Sequence, residues 1–218
     1  MSVSALEVYE NELQALARPL GPGAVRCWLR YGDGRRRQLP VRAWAAAPDA
    51  VDRQLLQRCL GATVDVGCGP GRLTAALSAS GVSALGVDIA PMAVRLTRAA
   101  GGAAIRRSVF DRLPGEGRWS TVLLVDGNVG IGGDPERLLS RCAELVSADG
   151  QVLVELDPSD TTSRTVLVRL ERAGASSRWF LWAHLSTDDI AAAAEPAGLA
   201  VAEQWTAGRR CFARLVAA

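Results

Sequence analysis

Apolar positions change their rhythm along this chain. Leu6, Tyr9, Leu13, Leu16 and Leu20 recur at helical spacing and predict one amphipathic helix, which Arg18-Pro19 would end. Ala24–Tyr31 and Arg37–Val41 flank Gly32-Asp33-Gly34, the composition of a hairpin turn between two short strands. Asp49–Leu60 predicts a helix with Asp49 as its N-cap. Beyond residue 60, short apolar runs at 62–66, 84–88, 103–107, 120–126 and 151–156 alternate with helical stretches at 73–80, 91–100 and 134–146. Strands buried on both faces need such runs, and their alternation with helices implies a parallel sheet covered on both faces. In the tail, Thr161–Ala173 reads as a helix, and Ser186 reads as the cap of another, with Asp189 three residues on. Leu199–Trp205 and Arg210–Val216 are two last strands, and the short Thr206–Arg209 link between them requires an antiparallel pair. The predicted fold is α/β: a doubly wound, seven-stranded, mostly parallel sheet with its last strand antiparallel and helices on both faces. Residues 1–60 form an extension of helix and hairpin, and residues 61–218 form the main domain.

Composition narrows the chemistry. The chain has 218 residues, 49% of them hydrophobic, and a net charge of +2, too small to point to nucleic acid. All 25 basic residues are arginine, which excludes a catalytic lysine. Five widely spaced cysteines form no disulfide framework, and the single histidine, His184, leaves no metal site to expect. The first residues do not read as a signal peptide, and no apolar run reaches the roughly 20 residues that span a bilayer. The expectation is a cytoplasmic protein with no membrane partner; its oligomeric state is open.

The informative segment is Asp65-Val66-Gly67-Cys68-Gly69-Pro70-Gly71, set between a strand and a helix. Glycines there let the backbone turn tightly and approach a ligand at the carboxyl end of the strand. A dinucleotide fingerprint wants G-x-G-x-x-G, but its third position falls on Arg72. Asp88 ends the next strand, where an acid can accept from both hydroxyls of a ribose.

These residues resemble the first motif of class I S-adenosylmethionine-dependent methyltransferases, and Gly86-Val87-Asp88-Ile89 is similar to their second. The resemblance runs to about residue 157 and implies a Rossmann-like fold. It implies that Gly67–Gly71, with Cys68 and Gly69 between, packs on the methionine moiety of S-adenosylmethionine. Asp65 would lie near the amino acid end, Asp88 would bind the ribose diol and Ile89 would pack on adenine. Ser108, Val109 and Phe110 occupy the segment where the family often places an acid for the adenine amine; Asp111 is the alternative acid, or else caps a turn. Asp126, Gly127 and Asn128 follow the fourth strand, where the family faces both transferable methyl and substrate. The stretch Asp-Gly-Asn-x-Gly-Ile-Gly-Gly-Asp-Pro also resembles one group of bacterial methyltransferases. The Asn/Asp-Pro-Pro-aromatic signature of nucleobase amine methylases is missing, and Asp157-Pro158 comes one strand too late for it.

The acceptor side is less defined. His184 is the one natural general base near neutral pH, unless it is a surface or structural histidine before a helix, the blander alternative. Trp179, Phe180 and Trp182 lie between the fifth and sixth strands, where the family often builds its substrate pocket; they line it or form core. Trp44 closes over cofactor or substrate, or simply anchors the N-terminal region; residues 1–60 are an extension or a substrate cap. The leading function is methyl transfer to a small molecule. A nicotinamide-dependent oxidoreductase and a cofactor-binding subunit with a catalytic partner are the alternatives.

Overall fold

The computed structural model describes residues 3–17 and 26–218. Ser4 opens α1 (Ala5–Gln14) with a capping box, exchanging bonds with Glu7 in both directions. The expected stop at Arg18-Pro19, the stripe residue Leu20 and the strand start at Ala24 lie outside the described residues. The predicted hairpin forms from β1 (Trp28–Tyr31) and β2 (Arg36–Gln38), with Trp28 opposite Gln38. Val41, expected at the end of that second strand, instead starts the short α2 (Val41–Trp44). Asp49 caps α3 (Ala50–Leu56), and Asp52 returns the bond.

The main domain then runs through β3 (Thr63–Val66), α4 (Arg72–Ala79), β4 (Ala84–Asp88), α5 (Pro91–Ala99), β5 (Ala103–Arg106), β6 (Trp119–Leu124), α6 (Pro135–Leu145) and β7 (Val146–Leu156). The chain leaves this layer for β8 (Arg164–Arg172), β9 (Ala175–Ser176) and β10 (Phe180–His184). It returns through α7 (Ile190–Ala194) to β11 (Leu199–Ala207) and β12 (Arg210–Ala217). The seven-stranded sheet has the order β11-β12-β7-β6-β3-β4-β5. Its neighbours are parallel except β12, which runs antiparallel to both β7 and β11. Alternate residues of the central strands serve opposite faces. Val64, Val122 and Val152 pack with Leu138 and Leu145 of α6 and Ile190 of α7. Leu123 and Leu153 pack with Leu55 of α3, Leu77 of α4 and Phe212. Both faces are therefore apolar, which is why these strands read as unbroken hydrophobic runs.

A second, antiparallel sheet has the order β10-β8-β1-β2, with β9 paired to β8. It takes strands from both sides of residue 60. The helix expected over Thr161–Ala173 is β8 instead. Val166, Val168 and Leu170 alternate with more exposed neighbours, and Thr165, Val166 and Val168 are β-branched, which suits a strand flanked by two partners. Ser186 does not cap a helix; its hydroxyl donates to Asp189 at 3.0 Å, and the helix is confined to α7. Helix α1 is held between the layers: Val8 packs on Leu29, Val168 and Leu170 of the second sheet, and Leu13 on Ala90 and Ala93 at α5. Among the described residues no helix is long and apolar enough to cross a membrane.

Candidate active site

The carboxyl ends of β3, β4 and β6 bring three loops together. In the glycine turn after β3, Gly67 N–H donates to Val87 O at 2.8 Å. Asn128 reaches over from the loop after β6, and its Nδ2 donates to the carbonyls of Val66 (2.8 Å) and Gly67 (2.9 Å). A Cβ at Gly67 would stand 2.7 Å from that amide, and the residue holds φ +72°, so glycine is required on two counts. Asp88 anchors the other side of the turn, accepting from Gly69 N–H at 2.9 Å and Ala90 N–H at 2.8 Å. Burial pushes its carboxyl above the ordinary value in spite of these bonds.

Asp65, within β3, is 2% exposed and accepts from the Thr74 hydroxyl at 2.7 Å. Burial raises its carboxyl from 3.8 to about 6, Thr74 opposing. The folded protein therefore holds this proton more tightly than the unfolded chain. The resulting contribution is complete below about pH 4 and is lost as pH rises through about 6. Asp65→Asn, which keeps an acceptor for Thr74, should gain stability over the parent as pH rises across that window, by on the order of 3 kcal/mol at neutral pH. Urea unfolding at several pH values measures this, and a pH-independent difference would refute it.

Arg72, the first residue of α4, bridges Asp52 of α3 and Asp126, the latter at 2.5 Å. Arg210 of β12 binds Asp52 at 2.7 Å and Glu155 at 2.7 and 2.8 Å, and lies 3.6 Å from Asp126. Two guanidiniums thus share three carboxylates. Asp126 sits in the left-handed region at φ +58°, with its N–H donating to Glu155 at 2.6 Å. An aspartate tolerates that conformation at a cost, and such residues gather at functional sites. Burial raises the Asp126 carboxyl against the pull of Arg72. The Nε of Arg72 is buried without a hydrogen-bond partner.

Two cavities open among these groups. The smaller, about 50 Å³, is lined by Tyr9, Asp65, Gly69, Arg72, Asp126 and Asn128, with Trp44 at its edge. Trp44 and Asp126 also border the larger, about 260 Å³, together with Arg37, Glu155, Asp157, Trp182 and His184. His184 ends β10. Its Nδ1 lies 2.9 Å from Asp157 Oδ2 and its Nε2 3.4 Å from the Tyr31 hydroxyl, the two rings stacking at 5.9 Å. A carboxylate only accepts, so Nδ1 carries the hydrogen; in the neutral ring Nε2 holds the lone pair and accepts from the Tyr31 hydroxyl.

A family model described as a methyltransferase domain matches residues 35–204, most of this chain. The chain belongs to that methyltransferase family. No curated protein matches it significantly. Solved structures share the fold. A methyltransferase from Bacteroides fragilis, solved with S-adenosylhomocysteine, is 20% identical at a TM-score of 0.80, covering 99% of this chain and 97% of its own. The CcbJ methyltransferase of Streptomyces caelestis is 15% identical at 0.65, covering 97% and 98%. A Burkholderia thailandensis 1,6-didemethyltoxoflavin-N1-methyltransferase, solved with its acceptor and S-adenosylhomocysteine, is 20% identical at 0.53, covering 81% and 78%.

Of the residues that the sequence singles out in this methyltransferase, Asp65, Gly67, Cys68, Gly69, Asp126 and Asn128 converge on the smaller cavity, and Gly127 borders the larger. Gly71 lies behind, where a Cβ would come 2.6 Å from Thr97 Cα. Cys68 also packs on Val94 and Ala104, and burial pushes its thiol up. Ile89 stands exposed after Asp88, while Val109 is buried in the core beside α6. Phe110 lies 4.3 Å beneath the Arg137 guanidinium. Ser108 Oγ accepts from Phe110 N–H, and Asp111 accepts from Ser108 N–H at 3.3 Å, so Asp111 caps this turn. Of the four candidate substrate aromatics, Trp44 and Trp182 reach the larger cavity. Phe180 buttresses Trp182 edge-on at 6.3 Å, and Trp179 lies half-exposed beside Arg169. Sequence reasoning missed Tyr9, which it took only as part of a helical stripe, and Asp157, the partner of His184.

Proposed function

We propose that this methyltransferase uses S-adenosylmethionine to methylate a small molecule held in the larger cavity, as a cytoplasmic enzyme with no nucleic-acid or membrane partner. The observation that carries the reading is the pair of adjoining cavities that share Trp44 and Asp126, one against the glycine turn and one ending at His184. The residues fit the cofactor. The glycines bring no side chains of their own to the turn, where the Asn128 amide and the Tyr9 hydroxyl stand as polar groups, Asp65 and Asp88 supply buried carboxylates, and the unpartnered Nε of Arg72 is a spare donor. S-adenosylmethionine, when bound, supplies a methyl on a positively charged sulfur. Asp65 would face its amino acid end, Asp88 the ribose diol, and Ile89 with Ser108, Val109 and Phe110 the adenine. The bound S-adenosylhomocysteine and small acceptor of the structural relatives support this. Residues 1–60, with the strands of the second sheet that follow β7, act as the substrate cap.

Calorimetry with S-adenosylmethionine and with NAD tests the reading. The first should bind and the second should not; the reverse would overturn the assignment. Asp88→Asn should weaken S-adenosylmethionine by more than about tenfold, since a charge-assisted pair of bonds is lost. An unchanged affinity would remove the ribose role. Incubation of the protein with labelled S-adenosylmethionine and an extract of the source organism should label small molecules and not nucleic acid.

A further inference from the structure

The larger cavity has an acidic wall and an aromatic one. Asp126, Glu155 and Asp157 line it, with the indoles of Trp44 and Trp182. Glu155 and Asp126 are matched by Arg210 and Arg72, but Asp52 draws on the same two guanidiniums. Asp157 faces an imidazole rather than a guanidinium. Arg37, the arginine that borders this cavity, is exposed on β2. Together Asp52, Asp126, Glu155 and Asp157 outnumber Arg37, Arg72 and Arg210 by one negative charge. A carboxylate or phosphate acceptor would meet repulsion here, and a neutral alcohol would leave the charge unmet. A cation is complemented by the carboxylates and by the faces of two tryptophans.

An ammonium has no electron pair to give, so a site for it needs a base as well. His184 is that base in place: it borders the cavity, Asp157 holds its Nδ1–H, and Nε2, 3.4 Å from the Tyr31 hydroxyl, is the basic nitrogen. Building on the methyltransferase reading above, we propose that the acceptor is an amine. It enters as its ammonium, is held between the Asp126 and Asp157 carboxylates and the two indoles, and loses one proton to His184. The N–H bond breaks with its electron pair left on nitrogen, and the proton forms Nε2–H. Asp157 stabilises the imidazolium, the Tyr31 oxygen 3.4 Å away can accept from Nε2–H, and the proton then passes to water.

Three probes of one skeleton decide the matter: phenethylamine, 2-phenylethanol and phenylacetate, titrated calorimetrically into the protein loaded with S-adenosylhomocysteine. The amine is expected to bind at least about tenfold tighter than the alcohol, with phenylacetate weakest. Asp157→Asn should shrink the preference to about threefold or less, and Asp157→Glu should restore part of it. Equal binding of amine and alcohol, tighter binding of phenylacetate, or no binding of the amine overturns the proposal. Loading is measured first. A protein that does not take S-adenosylhomocysteine fails as a methyltransferase, whereas one that takes it without preferring the amine fails only as an amine methylase.

Discussion

Asp52→Asn is expected to lower the stability of this protein by about 3–5 kcal/mol, the usual effect of removing one partner from a buried ion pair. For a chain of this size that corresponds to a fall in Tm on the order of 10 °C. Asp52 has no exposed surface and is bound by both Arg72 and Arg210. Asparagine preserves the size and an oxygen for the capping bond from Asp49 N–H, but removes the charge and one of the two oxygens that accept from the guanidiniums. It leaves two partly buried guanidiniums to share Asp126 and Glu155. Burial alone would raise the Asp52 carboxyl, but the bonds from Arg210, Asp49 N–H and Arg72 outweigh it and hold it below the ordinary value. Its contribution is thus present above about pH 4 and is lost as pH falls below that. The difference between parent and variant should therefore shrink in acid. The exposed pair Arg58–Glu203, at 2.8 Å, is the control: Glu203→Gln should change stability by less than about 1 kcal/mol. A similarly small effect of Asp52→Asn would show that the network carries no structural load.

That network also explains how the N-terminal extension is tied to the catalytic layer. Asp52 stands on α3, Arg72 on α4, Asp126 after β6, Glu155 on β7 and Arg210 on β12. Its members come from residues 52 to 210, so nothing in the local pattern announces them. Arg72 was visible in the sequence only as the residue that breaks a dinucleotide fingerprint. In the fold it is the donor that ties Asp126, at the border of both cavities, to the extension.

The main sheet was legible because parallel strands buried on both faces leave continuous apolar runs, and because Asp134, Gly67 and Gly208 punctuate them with caps and turns. Of the second sheet only the β1–β2 hairpin was, through the turn at Gly32-Asp33-Gly34. Val166, Leu167 and Leu170 fit a helical spacing, while Val166, Val168 and Leu170 fit a strand. The choice was made by β1 on one edge and β10 on the other, one of them more than a hundred residues away. The glycine turn, Asp65 and Asp88 could be found from spacing alone, since a backbone that must bend at one place needs glycine there. Asp157 could not, because it lies 27 residues from His184 and its only local signature was the proline beside it.

His184→Gln should reduce kcat by about 10²–10⁴-fold, the range that a positioned general base supplies. Glutamine can still donate to Asp157, so the strand end should keep its place, and Tm and S-adenosylhomocysteine affinity should stay close to those of the parent. The imidazole borders the larger cavity, fixed at Nδ1 by a carboxylate at 2.9 Å with Nε2 beside the Tyr31 hydroxyl. Asp157→Asn should lower kcat less and raise KM, because it loosens the imidazole and also removes a charge from the cavity wall. The double variant should be no slower than His184→Gln alone, since on the catalytic step Asp157 acts through the histidine. Tyr31→Phe should stay within about tenfold of the parent, as its 3.4 Å contact is at the long limit of a hydrogen bond. Additive losses in the double variant would mean that the two side chains work separately. An unchanged kcat for His184→Gln would return the histidine to a structural role, and the proton would then have to leave the acceptor directly to water.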